Sequence, residues 1–354
     1  MTLRILSFLT SAALFGASAH AQLQRIVLQG SGEPQVFTDI NAALVAAQAN
    51  DLLYLSGGSF SGGGELVIDK PLHFIGAGVS PDSSSVTGTT TIATTNAGNS
   101  GHIIITSAAS GSTFTGIRFD PQNYIQYGTS EANDDPVDLV FERCVFDARV
   151  ITGFSGGTSS TVFNECVFHG YLYGTTGVTA LLTRCILDFQ AGTGAEVSGF
   201  DNGLTMRFCV GLGTRVGNSE NVTIENCVFT RTSAPVWQSN GATLTNNLCV
   251  SPSLTSNMTA GAATGNVLGV VVSEIFVDES NTDFEWTDDL HLQATSVGIG
   301  MANDGTNVGI YGSNSPFKAG AVPHNPHFRS AVLSPATNAN GELPVNIHTV
   351  AQPN

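Results

Sequence analysis

Four polar residues with the chemistry of acids and bases recur at one position of a repeated motif: Asp120, Asp147, His169 and Asp188. Each stands three residues after the central residue of its repeat, where the alternation of a strand turns the side chain outward. Neighbours in such a row are about 5 Å apart, so the carboxylates repel one another and can attract a cation. The row therefore predicts a calcium site on Asp120, Asp147 and Asp188. It also predicts a catalytic group in which His169 abstracts a proton from a uronic acid beside Asp147 and Asp188.

Two arginines and four tyrosines lie close to this row in the sequence: Arg118, Arg149, Tyr124, Tyr127, Tyr171 and Tyr173. Arginine can hold the carboxylate of an acidic sugar, so we place Arg149 in the catalytic group and Arg118 with Asp120 among the substrate-binding residues. The tyrosines fall in variable loops, where aromatic faces can stack on sugar rings. The structural alternatives are that the tyrosines pack over the shoulder of the fold, and that the polar row merely begins the loop after each strand.

Two other charged patterns have simpler interpretations. Arg143, Glu165 and Arg184 share one turn position and alternate in charge, which is typical of an ion-pair ladder on the surface. The acidic run at 278–283, with Asp288 and Asp289, can be read as a calcium loop or as a solvated loop. Its spacing does not match an EF-hand, which favours the solvated loop.

The elements that position these residues are short strands in a repeat. Seven segments align on the central positions 117, 144, 166, 185, 209, 227 and 247, with Cys in five of them and Phe commonly two residues later. Steps of about twenty residues indicate a solenoid, because one such unit cannot bury its own apolar face. Alternating residues, two polar residues and a second alternating stretch give strand, sharp bend and strand, with no room for a helix. The predicted fold is all-β, a right-handed parallel β-helix.

The interior and the end of this fold also follow from the repeat. The Cys residues should stack in one inward row and the Phe residues in another, so free, buried thiols are favoured over disulfides, although neighbouring coils are close enough for a bridge. Apolar residues at helical spacing over 37–49 predict an amphipathic helix that caps the N-terminal end.

The first residues have the pattern of a secretory signal peptide. Arg4 precedes an apolar run that ends in Ala19-His20-Ala21, and the C-terminus carries no second hydrophobic stretch. The net charge of −16 disfavours binding to nucleic acid or to an anionic membrane. The predicted organisation is a signal peptide, an N-terminal strand with capping helix, the coils, the C-terminal coils with a closing segment, and a β-rich extension: 1–21, 22–50, 51–270, 271–325 and 326–354.

The coil sequences resemble a known group of proteins. The run from Phe37 through 51–55 to Phe74-Ile-Gly-Ala-Gly78, followed by Cys-Val-Phe coils, resembles secreted bacterial proteins of the pectin-lyase-like fold. Residues 290–299 and 304–312 are similar to the segment that closes many bacterial β-helix proteins. The resemblance covers about residues 30–325. It implies the parallel β-helix, but the fold hosts lyases, hydrolases, esterases and adhesins.

The chain departs from the enzyme patterns of that group. A polygalacturonase would need Asn-Thr-Asp, Asp-Asp, Gly-His-Gly and Arg-Ile-Lys blocks on successive coils, and the sequence has Asn-Thr-Asp only at 281–283. A pectate lyase would use an Arg or Lys base, and the coils contain the single lysine Lys70. Our first hypothesis is an exported protein that binds or acts on extracellular polysaccharide, as a lyase or a glycoside hydrolase. The second is a non-catalytic adhesin or structural scaffold. The polar row distinguishes them, because an enzyme should place it in a walled groove.

Overall fold

The chain folds as an all-β parallel β-helix of about nine turns. The computed structural model describes residues 24–81, 86–95, 101–129, 134–153, 157–188, 197–279, 281–318 and 327–351. The predicted signal peptide lies outside these residues. Each coil contributes one strand to each of three sheets, named A, B and C in the order in which the chain visits them.

The described strands of the coils form long ladders. Sheet A begins with two antiparallel strands and continues with ten parallel ones: β2 Gln35–Phe37, β1 Ile26–Gln29, β3 Leu52–Leu55, β6 His73–Ile75, β9 Thr113–Thr115, β12 Leu139–Glu142, β15 Ser160–Asn164, β18 Thr179–Thr183, β21 Leu204–Arg207, β24 Thr223–Glu225, β27 Thr243–Thr245 and β30 Ala262–Thr264. Sheet B is parallel: β4 Gly58–Ser61, β7 Thr90–Ala93, β10 Arg118–Asp120, β13 Val145–Phe146, β16 Val167–Phe168, β19 Ile186–Asp188, β22 Val210–Leu212, β25 Val228–Phe229, β28 Leu248–Cys249 and β31 Val267–Leu268. Sheet C is also parallel: β5 Glu65–Ile68, β8 His102–Ile105, β11 Tyr124–Tyr127, β14 Arg149–Ile151, β17 Leu172–Tyr173, β20 Val197–Ser198, β23 Val216–Gly217, β26 Val236–Trp237 and β29 Thr255–Ser256.

The predicted sharp bend joins sheet A to sheet B. One residue of each bend has left-handed backbone, as in Arg143 with φ of 51° and Asn226 with φ of 58°. This conformation costs most residues about 1–2 kcal/mol and suits Asn and Gly best, which explains the asparagines at this position in later coils. The bend turns the next residue, Cys144 or its equivalent, into the interior.

Phenyl rings fill the interior as two parallel stacks. Phe114 lies 4.8 Å from Phe74 and 4.7 Å from Phe141, measured between ring centroids. Phe146 lies 5.5 Å from Phe119 and 4.7 Å from Phe168 in the second stack. The two stacks meet edge to face, which is a favourable arrangement of aromatic quadrupoles. The predicted inward Phe row is thus confirmed.

The cysteines form an inward row of free thiols. All six are buried and unpaired. Most of the thiols donate a hydrogen bond to a carbonyl of the preceding coil, as Cys166 Sγ does to Phe141 O at 3.4 Å. Burial raises the pKa of the Cys249 thiol to about 12, so that thiol is inert at neutral pH. Asn247 and Asn266 continue the row, each amide donating to a carbonyl of the preceding coil.

A short helix lies at the N-terminal end of the stack. Helix α1 spans Ile40–Ala46, with Asp39 as the N-cap that accepts from the N–H of Ala42 at 2.7 Å. Ile40, Ala43 and Leu44 are buried, as their spacing predicted. The helix is shorter than 37–49 because Gln35–Phe37 pairs with β1 instead.

The described residues of 271–318 pack on the outside of sheet B and add no coil to the stack. This segment contains a single turn of 3₁₀ helix at Val272–Glu274 and two antiparallel strands, β32 Phe276–Asp278 and β33 Asp289–Leu292. Its apolar side chains cover a row of outward residues on sheet B, and both sets are buried together: Val145, Val167, Ile186, Val210, Val228 and Leu248 against Ile275, Phe276, Leu290, Val308, Ile310 and Phe317. Beyond it, β34 His327–Leu333 and β35 Val345–Val350 form an antiparallel hairpin.

This cover corrects the interpretation of the charged row in the bend. Arg143, Glu165 and Arg184 do pair, with Arg143 Nε 3.0 Å and Arg184 Nε 3.5 Å from the Glu165 carboxylate. They do not form a surface ladder, because Arg143 is 1% and Glu165 2% exposed. The backbone N–H of Lys318 donates to Glu165 Oε2 at 3.2 Å, so the covering segment is anchored on this buried carboxylate.

Candidate functional site

The polar row lines an open cleft of about 550 Å³ at the turn between sheets B and C. The sheet register pairs Phe119 with Phe146, Phe146 with Phe168, and Phe168 with Leu187, so the residue that follows each of them falls in one row. The residues that line the cleft come from this row and from one stretch of the covering segment: Arg118, Asp120, Asp147, His169, Phe284, Glu285 and Trp286. The two ends of the row differ in exposure, because Asp120 is exposed and Asp188 is fully buried.

Arg118 binds the aspartate of the next coil. Its Nη2 donates to Asp147 Oδ1 at 3.0 Å, and its Nε donates to the other carboxylate oxygen. This two-point contact fixes the plane of the guanidinium in the cleft. Nη1 takes no part in it, and the Arg118 side chain is 43% exposed, so the arginine can also meet a ligand.

His169 and Asp188 form a hydrogen-bonded pair on adjacent coils. His169 Nδ1 lies 2.9 Å from Asp188 Oδ2, and the same oxygen accepts from the backbone N–H of Phe284 at 2.7 Å. A carboxylate can only accept, so Nδ1 carries the proton and Nε2 is the nitrogen that can take one. The Asp188 side chain is completely buried and the His169 side chain is 21% exposed. The pair therefore has the arrangement of an oriented general base.

The covering segment supplies an aromatic wall. Phe284 and Trp286 lie edge to face with ring centroids 5.2 Å apart, and both are half-buried. The hydrogen bond from the Phe284 N–H to the Asp188 carboxylate connects this wall to the His169–Asp188 pair. Aromatic faces beside a polar row can pack against a sugar ring while the polar groups bind its hydroxyls.

Glu279 precedes Phe284 on the covering segment, and its pKa is raised. The residue is 9% exposed, and its Oε1 accepts from the N–H of Asn281 at 2.7 Å. Burial, together with the smaller effect of the nearby carboxylates of Asp288 and Asp188, raises the pKa of Glu279 to about 7. The Glu279 carboxyl therefore changes charge in the neutral pH range, next to the segment that holds the aromatic wall.

Arg149 and three of the predicted tyrosines lie on sheet C and do not line the cleft. The Arg149 guanidinium carbon is 5.9 Å from the ring centres of both Tyr171 and Tyr173, which gives a cation–π cluster. Tyr124 packs edge to face with His102 at 4.1 Å. Arg149 is exposed and both tyrosines are half-buried, so the cluster lies at the surface, and none of its residues lines the cleft.

Tyr127 corrects one of the predictions. The side chain is completely buried, and the prediction that it is an exposed sugar-binding aromatic is wrong. It follows the inward alternation of β11, and its hydroxyl bonds to Thr161 Oγ1 at 3.0 Å. Burial raises the pKa of Tyr127 well above its ordinary value.

The predicted calcium site is not formed by the described residues. Asp147 is bound on both oxygens by Arg118, and Asp188 is buried against His169, so the carboxylates do not converge with Asp120. More generally, no group of three or more His, Cys, Asp or Glu in the described ranges has the geometry to hold a metal ion. Pairing with nitrogen donors has relieved the repulsion that the calcium hypothesis rested on.

The wall residues are the part of the site that the sequence interpretation missed. Glu279 belongs to the acidic run at 278–283, for which a solvated loop is favoured, and Phe284 and Trp286 follow that run. A signal was present in the coils, where the residue between Cys and Phe is apolar although it faces outward, as at Val145, Val167 and others. A continuous outward apolar row must be covered, and the segment that covers it necessarily passes the adjacent polar row.

Comparison with known proteins identifies no family. No known protein family and no curated protein matches the sequence. Among solved structures, a candidate glycosyl hydrolase from Parabacteroides merdae is 11% identical, over 66% of this chain and 85% of that one, with a TM-score of 0.18. A similarity of this size carries no information about activity. The chain itself defines a parallel β-helix protein with an oriented histidine in a cleft, and no described helix is long and apolar enough to cross a membrane.

Proposed function

We propose that this protein binds an extracellular polysaccharide in the cleft and cleaves it with His169 as the base. The observation that carries the proposal is the contact between His169 Nδ1 and the buried carboxylate of Asp188. It leaves the other ring nitrogen as the proton acceptor, in a cleft that also holds a guanidinium and an aromatic wall. A walled cleft is what the enzyme hypothesis requires, whereas a scaffold would leave the row on an open flank.

The charges of the cleft narrow the class of substrate. Arg118 is the one permanent cation among the described lining residues, beside the acidic Asp120, Asp147 and Glu285. A polymer with a carboxylate on every sugar would be repelled by this set and by the overall charge of −16. A glycan in which isolated uronic acids alternate with neutral sugars fits better, because one carboxylate can meet Arg118 while neutral rings pass the aspartates.

The cleft residues have the roles that β-elimination needs. Nε2 of His169 takes the proton from carbon 5 of the uronic acid, and the electrons of that bond form the double bond between carbons 4 and 5. The bond from carbon 4 to the glycosidic oxygen breaks, its electron pair stays on that oxygen, and water in the open cleft supplies the proton. Arg118 stabilises the charge that develops on the carboxylate as carbon 5 loses its proton.

Hydrolysis is the less favoured reaction in this cleft. A glycoside hydrolase needs two carboxyl groups, one as acid and one as base or nucleophile. Both oxygens of Asp147 are held by Arg118, which leaves Asp120 in the row and Glu285 on the covering segment as the exposed carboxylates among the described lining residues, and neither adjoins His169 in the row. Elimination uses His169 and Arg118 as they stand.

The test is to incubate the mature protein with acidic glycans and to follow the ultraviolet absorbance of unsaturated products. We expect products from the natural protein and none from His169→Ala, with glycan binding retained in both. Binding without products in the natural protein would support the non-catalytic adhesin. Neither binding nor products would contradict a carbohydrate role for the cleft.

Export is part of this proposal and rests on the sequence of residues 1–21. Fractionation of cells that express the full chain should place it outside the cytoplasm, shortened at Ala21. Replacing Ala19 and Ala21 by arginine should block the cleavage and retain the precursor, because the cleavage site requires small residues. A full-length cytoplasmic protein in both cases would contradict export.

A further inference from the structure

A second pocket of about 460 Å³ also lies at the bend between sheets B and C, in the coils that follow Asp188. Its residues come from the ends of sheet B strands and from the start of sheet C: Arg215, Arg231, Thr232, Ser233, Trp237, Ser251, Ser253, Thr255 and Ser256, with Ala234 and Pro252. The set combines two guanidiniums, an indole and several hydroxyls, which are groups that can bind the charges, ring faces and hydroxyls of a sugar.

The charge of this pocket is opposite to that of the molecule. The chain has 12 Lys and Arg against 28 Asp and Glu, yet Arg231 lines this pocket with a hydroxyl and a carbonyl as its hydrogen-bond partners, and none of the described lining residues is acidic. An anion that approaches this protein is repelled over most of the surface and attracted here. The pocket therefore selects a ligand that carries an oxyanion.

Backbone and aromatic contacts hold both arginines in place. Arg231 Nη1 donates to Gly213 O at 3.0 Å and its Nε donates to Ser233 Oγ at 2.8 Å. The Arg215 guanidinium carbon lies 4.7 Å from the centre of the Trp237 ring. A guanidinium that is already fixed loses little entropy when it binds a carboxylate or sulfate, so this arrangement is pre-organised for an oxyanion.

The pocket and the cleft lie in one row that runs parallel to the axis of the β-helix. Thr230, next to Arg231, occupies the same coil position as His169, three coils further on. With about 4.8 Å between coils, the two sites are roughly 14 Å apart along the helix axis. The covering segment passes between them, with the Thr282 side chain against Gly213. One extended chain running parallel to the axis can occupy both sites.

We infer that the Arg215–Arg231–Trp237 pocket is a second saccharide-binding site, which holds a sugar bearing a carboxylate or sulfate group. That the ligand is a saccharide rests on the function proposed above, whereas the selection for an oxyanion rests on the pocket alone. This site holds a charged sugar of a long polysaccharide outside the cleft. The neutral sugars between that charged sugar and His169 pass the covering segment.

The two tryptophans of the chain make the inference testable, because Trp237 lies in this pocket and Trp286 in the cleft. In Trp286→Phe, titration with an oligosaccharide that carries isolated uronic acids should change the emission of Trp237. Adding Arg231→Gln should raise the dissociation constant at least tenfold. Arg207→Gln is the matched control, because Arg207 pairs with Glu225 on another turn and its side chain is 50% exposed. It should leave the constant unchanged.

Four probes in the same titration separate the sources of the oxyanion: the uronic oligosaccharide, its sulfated counterpart, its neutral counterpart, and sulfate ion alone. Binding of the neutral sugar as tightly as the charged ones would overturn the inference. So would an unchanged constant in Arg231→Gln, or an equal loss in Arg207→Gln. The reverse variant, Trp237→Phe, reports on the cleft through Trp286. If that signal and the unsaturated products are absent while Trp237 responds, the proposed function fails and this inference stands.

Discussion

Nδ1 of His169 and Oδ2 of Asp188 lie 2.9 Å apart on adjacent coils, and the Asp188 side chain has no exposed surface. The stacking of the coils creates this contact, because equivalent positions are separated by one strand spacing. A buried carboxylate fixes both the ring orientation and the tautomer of the imidazole. The proposed role of His169 as a base depends on this pair.

Replacement of Asp188 by Asn should remove activity without unfolding the protein. In Asp188→Asn the amide oxygen can still accept from Nδ1 and from the N–H of Phe284, but the negative charge that stabilises the imidazolium formed when Nε2 takes a proton is lost. We expect a loss of about 10²–10⁴ in kcat, the range typical of general-base catalysis. The ¹⁵N chemical shifts of the His169 ring should change, because the ring loses its charged partner. Asp138→Asn, on an exposed turn, is the control and should alter neither quantity.

Arg118 should be needed for its two-point geometry as well as for its charge. Arg118→Gln should raise KM for an acidic substrate by roughly tenfold or more, since the charge-assisted hydrogen bond from the guanidinium to the substrate carboxylate is lost. Arg118→Lys keeps the charge but cannot hold Asp147 at two points, so it should restore little of the affinity. Steady-state kinetics with charged and neutral glycans would check this. Full recovery in Arg118→Lys would show that charge alone is sufficient.

Glu279 should make the protein less stable as the pH rises. Its pKa is raised from 4.5 to about 7 in the folded protein, so the folded state binds more protons than the unfolded state between those values. The free energy of unfolding therefore falls as the pH rises through that window and stays low above it. In Glu279→Gln this fall should be smaller, and Tm at about pH 8 should exceed that of the natural protein. Equal pH dependence in the two proteins would contradict the assignment.

The buried ion pair between Arg143 and Glu165 should be costly to break. Glu165→Ala leaves the Arg143 guanidinium buried without its carboxylate and removes the acceptor for the N–H of Lys318. We expect a loss of about 3–5 kcal/mol in the free energy of unfolding, measured with urea. Glu225→Ala breaks the more exposed pair with Arg207 and should cost about 0–1 kcal/mol. Similar losses in the two variants would show that the covering segment is not anchored at Glu165.

The coils could be predicted from the sequence because local pattern and tertiary contact coincide in a β-helix. Cys144 and Phe146 recur at one spacing, and stacking turns that spacing directly into neighbours in space. The alignment of the row that contains His169 follows from the same register. The sequence therefore predicts the row, including His169 and Asp188, which form a hydrogen-bonded pair in the structure.

The covering segment could not be placed in the same way, because it has no repeat. Phe284 reaches Asp188 across 96 residues of sequence, and that contact depends on how an irregular segment crosses sheet B. The covering segment contacts Asp188 and Glu165 and buries both carboxylates. The same crossing turns an open polar row into a walled cleft. Tyr127 was misplaced for a simpler reason, since the loop that was expected there is a strand with an inward position.

Mass spectrometry of the products made from a glycan with isolated uronic acids tests the central claim most directly. Elimination gives fragments lighter by one water than those of hydrolysis. The account predicts such fragments from the natural protein, and their absence with His169→Ala and Asp188→Asn. Fragments of hydrolytic mass, or unsaturated fragments that persist in His169→Ala, would contradict the role assigned to the His169–Asp188 pair.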